Sequence, residues 1–175
     1  MEILMSKVKL KRASLDDEAT IQSIYRRSPT YFRRVDGSEV QDHFARRDLA
    51  DGPKKVTSKY EKYFCLIEQD GIPVGVADLH AHHPEIDVTY IGLLLLVEEI
   101  HGKGLGRKIY REIENFVVEK WKTRRIRLGV SEENNVEGYW TKMGFLRTGH
   151  TYLWKGEKHS STVFEMEKTL DLSPA

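Results

Sequence analysis

The sequence holds a single cysteine, Cys65, so it can form no internal disulfide and cannot build a thiolate zinc cluster. A reducing, cytoplasmic setting is the expectation that follows. Neither sign of charge is in excess: 28 Lys and Arg stand against 27 Asp and Glu, a formal net charge of +1. That balance speaks against a protein that wraps nucleic acid or lies on a membrane surface, because either would carry a lopsided charge. No apolar run approaches the length of a membrane span, and the opening Met1-Glu-Ile-Leu-Met-Ser-Lys-Val8 is too short and too poorly patterned for a signal peptide. Linkers, repeats and low-complexity tracts are missing too, and 175 residues fit one domain, 1–175, with a core that needs no staples.

What is present is a succession of short periodic segments. Lys7 to Arg12 reads as a strand, and Ser14-Leu-Asp-Asp17 as a capping box opening a helix through Tyr25. Ser28-Pro29 stops or kinks it, and Thr30 to Tyr60 carries little pattern beyond a helix over Gln41 to Leu49. Tyr63 to Glu68 and Val74 to His82 form a hairpin across Gln69-Asp-Gly71, and Pro84 to Asp87 turns the chain into a central strand, Val88 to Val97. Ile109, Ile113, Phe116, Val117 and Trp121 recur at helical spacing. Ile126 to Val130 is a further strand, Val136 to Met143 a short helix with Gly144 at its C-terminus, and Leu146 to Trp154 and Thr162 to Lys168 a closing hairpin. The order implies the α/β class in its mixed α+β form: one mostly antiparallel sheet of six to seven strands, with helices on both faces.

Between the central strand and its helix lies His101-Gly102-Lys103-Gly104-Leu105-Gly106. Alternating glycines at the mouth of a helix leave a row of backbone N–H groups unobstructed, and the helix adds its positive end. Such a turn is a socket for a pyrophosphate. It is neither a dinucleotide fingerprint nor a P-loop, because Arg107 stands three after Gly104 and no Gly-Lys-Ser/Thr follows.

Together with Tyr90-Ile-Gly-Leu-Leu-Leu-Leu96 and Asn134-Asn-Val-Glu-Gly-Tyr-Trp-Thr-Lys-Met-Gly-Phe145, this turn resembles the GNAT superfamily of N-acetyltransferases. The likeness covers about Tyr63 to Lys168, with His101 standing where the family usually has Arg or Gln. The resemblance implies a sheet whose central strands splay, with backbone near Leu94, Leu95 and Leu96 pairing with the pantetheine arm of acetyl-coenzyme A. It implies that the turn from His101 through Gly102, Lys103, Gly104, Leu105 and Gly106 to Arg107 or Lys108 holds the phosphates. Glu133 falls at the place of a family asparagine, so Asn134 or Asn135 takes that role, or Asn134 merely caps a helix. The tyrosine that commonly protonates the departing thiolate is replaced by Trp140, with Tyr139 beside it. Trp140 is then a coenzyme contact and Tyr139 the candidate acid.

The base is open among Asp78, His80, His82, Glu85, Asp87 and Tyr90, with Asp78 and Tyr90 preferred. His80-Ala-His82-His83 invites a metal reading, but Pro84 stands where a carboxylate ligand would be expected, and no metal is expected. The family resemblance puts acceptor selection in the N-terminal half, where Tyr31 and Phe32 beside Arg33 and Arg34 either hold an acceptor or simply pack.

The resemblance thus implies an acetyl-CoA-dependent N-acetyltransferase acting on a primary amine of a small molecule or peptide, by direct attack in a ternary complex. No nucleic acid, membrane or metal partner is expected, and a homodimer is left open. One rival is a GNAT-like module that senses acyl-coenzyme A without turnover. Another is transfer to a protein N-terminus or lysine.

Overall fold

The computed structural model describes residues 7–172; the start of the chain, in which no signal peptide was read, lies largely outside them. Seven strands form one sheet in the order β1-β2-β3-β4-β5-β7-β6. They are β1 (Val8–Arg12), β2 (Glu61–Gln69), β3 (Ile72–Ala81), β4 (Val88–Leu96), β5 (Arg125–Ser131), β6 (Leu146–Lys155) and β7 (Ser160–Thr169). Every neighbouring pair is antiparallel except β4 and β5, which run parallel because α4 crosses over between them. The sheet, its mostly antiparallel order and its flanking helices are those the sequence implied.

Among the described residues five helices flank the sheet: α1 (Glu18–Arg26), α2 (Pro29–Val35), α3 (Phe44–Ala50), α4 (Leu105–Trp121) and α5 (Glu137–Lys142). Consecutive residues of β2, from Phe64 to Ile67, are all buried, so both sheet faces are covered there. α4 turns Ile109, Tyr110, Ile113, Val117 and Trp121 into the core at helical spacing. The capping box at Ser14 and Asp17 is present and opens a single 3-10 turn that leads into α1. At the far edge β6 is exposed along almost its whole length.

The poorly patterned N-terminal region resolves into two helices. Pro29 does not merely stop α1: it takes the first position of α2, where a missing N–H costs nothing. The Thr30 N–H is capped by the Glu98 carboxylate (2.8 Å), and Ser28 Oγ donates to Leu96 O (3.3 Å). α3 starts at Phe44, three residues later than the pattern suggested, held by Gln22, whose side chain takes the Ala45 N–H (3.0 Å) and donates to Gln41 O (2.8 Å).

Two glycines with opposite surroundings test this packing. A Cβ on Gly75 would sit 2.5 Å from the Leu95 carbonyl oxygen, whereas one on Gly138, inside α5, would meet nothing within 4 Å. Gly75→Ala should lower stability by about 1–3 kcal/mol in urea unfolding, and Gly138→Ala should raise it by roughly 0.5–1 kcal/mol. Equal responses would contradict the packing described.

Candidate active site

β4 and β5 pair only from Val88/Arg125 to Ile91/Leu128; beyond that, Gly92–Leu96 and Gly129–Ser131 diverge. On the other side β4 stays bonded to β3, with a bulge at Gly92 that lets Asp78 face Leu93 and Leu79 face Ile91. Val97 N–H bonds Val74 O (2.9 Å), and the antiparallel alternation then turns the backbone of Leu95 and Leu93 toward β3. The backbone of Leu94 and Leu96 therefore faces the opening. Leu96 O is already used, accepting from Ser28 and from His101 Nε2 (2.9 Å). The amides of Leu94 and Leu96 face the gap with no strand opposite them.

The chain leaves β4 through a 3-10 turn, Glu98–Ile100, and enters the glycine turn. Gly102 and Gly104 both have φ of 75°, which a side chain would strain, and a Cβ at either would point into open space. Gly104 caps α4, whose first-turn amides have no helical partner. His101, Lys103 and Arg107 are exposed around the turn, and Leu105 is half-buried. A Cβ on Gly106 would lie 3.2 Å from the Tyr139 hydroxyl, which places that hydroxyl at the first turn of α4. Burial pushes the Tyr139 phenol up to about 12, so it remains a proton donor at neutral pH. Trp140 lies in the core, packed edge-on against Tyr110 and Phe145.

The opening between the strands continues into a cavity of about 600 Å³. Five of the residues singled out from the sequence meet there: Tyr31 and Phe32 from α2, Asp78 from β3, Tyr90 from β4, and Asn134. Gly92, Leu93, Gly129 and Ser131 line it too, which joins it to the splayed backbone. Tyr139, Trp140, His82, Glu85 and Asp87 lie outside its wall. Arg33 and Arg34 are exposed, Arg33 being paired with Glu39. Tyr90 and Tyr152 join hydroxyl to hydroxyl at 3.0 Å, and a Cβ on Gly129 would strike both.

Asp78 Oδ2 accepts from Lys62 Nζ (2.8 Å) and lies 3.2 Å from His80 Nε2. The other nitrogen of His80 is 2.9 Å from the Tyr60 hydroxyl. The His80 ring is thus held between the Asp78 carboxylate and the Tyr60 hydroxyl. These contacts hold the carboxylate in place while Asp78 Oδ1, buried, has no hydrogen-bond partner. His82 is engaged elsewhere, its ring accepting the Asp87 N–H (3.3 Å). Cys65 is fully buried in β2, and burial raises its thiol to about 12, which leaves no reactive thiolate. Glu133 accepts from Ser131 Oγ (2.9 Å) and from Ser161, whose hydroxyls hold its carboxyl below the usual range.

Sequence reasoning missed a second group of cavity residues: Asp36, Arg47, Asp48, Asp51, Trp154 and Glu157. Asp36 is 2% exposed, and its Oδ1 has no partner. Burial raises its carboxyl above the ordinary value, although Arg47 pulls it down. The Asp-Gly dipeptides at Asp36 and Asp51 read as turns, and nothing local distinguished them as cavity carboxylates.

A protein-family model described as the acetyltransferase (GNAT) family matches residues 20–145. No curated protein sequence matches the chain. Among solved structures it is similar to an acetyltransferase from Thermus thermophilus (TM-score 0.72, 23% identity, covering 97% of this chain and 100% of that one). It is also similar to the PaiA N-acetyltransferase from Thermoplasma acidophilum in complex with coenzyme A (TM-score 0.61, 20% identity, covering 94% and 99%). A GCN5-related N-acetyltransferase from Kribbella flavida is a third (TM-score 0.64, 19% identity, covering 93% and 98%). At these identities the structures establish the fold, and the family model, which spans most of the chain, establishes the lineage: the chain belongs to the GNAT family of acetyltransferases, enzymes that draw on acetyl-CoA.

Proposed function

We propose that this protein is an N-acetyltransferase that moves the acetyl group of acetyl-CoA to a primary amine by direct attack, both substrates being bound together. One observation carries the reading: an unpaired backbone edge at Leu94 and Leu96 ends in a cavity holding an oriented carboxylate, Asp78. The site fits acetyl-CoA because the turn bearing Gly102 and Gly104 leaves space where side chains would stand, and because the β4 edge offers amides to an extended ligand. When bound, acetyl-CoA supplies an activated acetyl thioester.

The chain's own residues divide the remaining work. The amides from Gly102 to Gly106 hold the pyrophosphate at the start of α4, and Lys103, Arg107 or Lys108 reach the outer phosphates. The amides of Leu94 and Leu96 bind the pantetheine arm, and one of them stabilises the oxyanion that develops on attack. Asp78, a lining residue of the cavity, takes the proton of the acceptor amine, with Lys62 and His80 beside its carboxylate. Tyr90 and Tyr152 brace the acceptor side of the cleft. Tyr139, protonated and standing at Gly106, donates toward the departing sulfur or the phosphates. Direct transfer is favoured over a covalent acyl-enzyme because the one cysteine is buried with a raised pKa. The balanced charge and the single free thiol favour a cytoplasmic setting.

A recessed cavity of about 600 Å³ favours a small amine over a folded protein substrate. Coenzyme A release with an amine panel separates turnover from a sensor that only binds. Asp78→Asn should lower kcat/KM about 100-fold while acetyl-CoA affinity by calorimetry stays within about twofold; activity within a few-fold of wild type removes Asp78 as the base. Gly104→Asp puts a side chain and a negative charge where the pyrophosphate is assigned, in a left-handed position. It should weaken acetyl-CoA binding by about 100-fold or more, and retained affinity would count against the phosphate assignment.

A further inference from the structure

We infer that Glu98 is a positioning residue for the acceptor: by capping α2 it fixes Tyr31 in the cavity wall relative to the coenzyme edge of β4. This rests on the acetyl-transfer reading above and adds to it a residue that acts through a helix, not on the reacting atoms.

α2 has only seven residues, too few to stay helical without outside contacts. Its own N-cap residue does not cap it. Ser28 makes no side-chain bond to the helix it precedes; it is 1% exposed, with its hydroxyl turned to Ile24 O (2.9 Å) and Leu96 O (3.3 Å). The cap comes from 68 residues along the chain, where Glu98 Oε1 accepts the Thr30 N–H (2.8 Å). The Glu98 N–H in turn donates to Arg27 O (3.0 Å). The two segments therefore clasp each other: a hydroxyl crosses from the helix junction to the end of β4, and a carboxylate crosses back. The Thr30 N–H holds the Glu98 carboxyl below its ordinary value, as a bond made to the charged form does. Beside the clasp, Arg27 pairs with Glu99 at the surface.

This clasp joins the two halves of the proposed site. On the coenzyme side are Leu96, whose amide faces the splay, and the glycine turn, whose first residue, His101, donates its N–H to Glu98 O (3.1 Å). On the acceptor side is Tyr31, the neighbour of the capped Thr30, half-buried in the same cavity wall as Leu93. Phe32, next along, is held separately against the rings of Tyr25 and Phe44. The work of Glu98 divides in the same way. Its side chain bonds α2, whereas its backbone N–H and carbonyl bond Arg27 and the turn, and those backbone bonds survive loss of the side chain. Removing the carboxylate therefore loosens the start of α2, and Tyr31 with it, while the coenzyme turn keeps its anchors.

The test measures coenzyme A release with the panel amine of highest kcat/KM, for wild type and for Glu98→Ala, Glu98→Gln and Glu99→Ala. Glu98→Ala should raise the acceptor KM about tenfold, while kcat and the acetyl-CoA Kd by calorimetry stay within about twofold. Glu98→Gln keeps an oxygen for the Thr30 N–H and should lie within about threefold of wild type. Glu99→Ala breaks an exposed ion pair in the same turn and should match wild type. Amide hydrogen exchange at Thr30 should quicken about tenfold or more in Glu98→Ala and in neither other variant. If Glu98→Ala does not fold, Glu98→Asp, which keeps the charge and shortens its reach, takes its place with the same expectations. An acceptor KM or a Thr30 exchange rate unmoved by loss of the cap overturns this inference and leaves acetyl transfer standing. So does an equal loss of acetyl-CoA affinity, or a Glu98→Gln or Glu99→Ala variant as impaired as Glu98→Ala. Absence of turnover with every amine overturns the acetyl-transfer reading and takes this inference with it.

Discussion

The site depends on a backbone constraint: β4 and β5 begin as a bonded parallel pair and then part. Four pairs, from Val88/Arg125 to Ile91/Leu128, hold them together. From Gly92 onward β4 has a partner on one side only. In most sheets such a free edge is either covered or a liability. Here it lies inside the molecule, where an extended ligand can complete it. Gly92 bulges to accommodate His80, whose Nε2 would lie 2.9 Å from a Cβ at that position, and Gly129 leaves room for the joined hydroxyls of Tyr90 and Tyr152. Side chains at either position would displace the groups that line the opening.

Around that opening two kinds of binding are kept apart. On the coenzyme side the turn from Gly102 to Gly106 offers backbone amides and a helix terminus, with few side chains in the way. On the acceptor side the cavity offers side chains, chiefly carboxylates, set among aromatic rings. In the proposed reaction the reacting centre falls where the two meet, at Leu93 and Asp78. Asp78 is flanked from behind by Lys62 and by His80, whose other ring nitrogen meets the Tyr60 hydroxyl. Much of the rate in such an arrangement comes from holding amine and thioester in line, with the oxyanion donor adding to it.

Much of this was legible in the sequence because the informative signals are local. Alternating glycines ahead of an amphipathic helix announce a turn with bare amides, and strict periodicity announces α4 and the hairpins. The GNAT motifs supplied the splay, which no periodicity could reveal, since a strand that parts from its neighbour has the same residues as one that does not. Asp78 and Tyr90 were named as candidates and do face the cavity, while His82, Glu85 and Asp87, equally plausible on the chain, turn elsewhere. α2 was not read because its start is stabilised from a distance: the cap on Thr30 comes from Glu98, and Ser28 binds Leu96. The acidic wall stayed hidden for the same reason. Asp36, Asp48 and Glu157 come from the C-terminal cap of α2, from α3 and from the β6–β7 turn, and only the tertiary fold places them in one cavity.

The most direct measurement of the central claim is residue-resolved amide hydrogen exchange with and without acetyl-CoA. Alternation along β4 makes the expected pattern specific: the amides of Leu94 and Leu96, and those from Gly102 to Gly106, should slow on binding, while that of Leu95, already bonded toward β3, should change little. Protection of Leu95 without Leu94 and Leu96, or binding that leaves the glycine turn unprotected, would contradict the account.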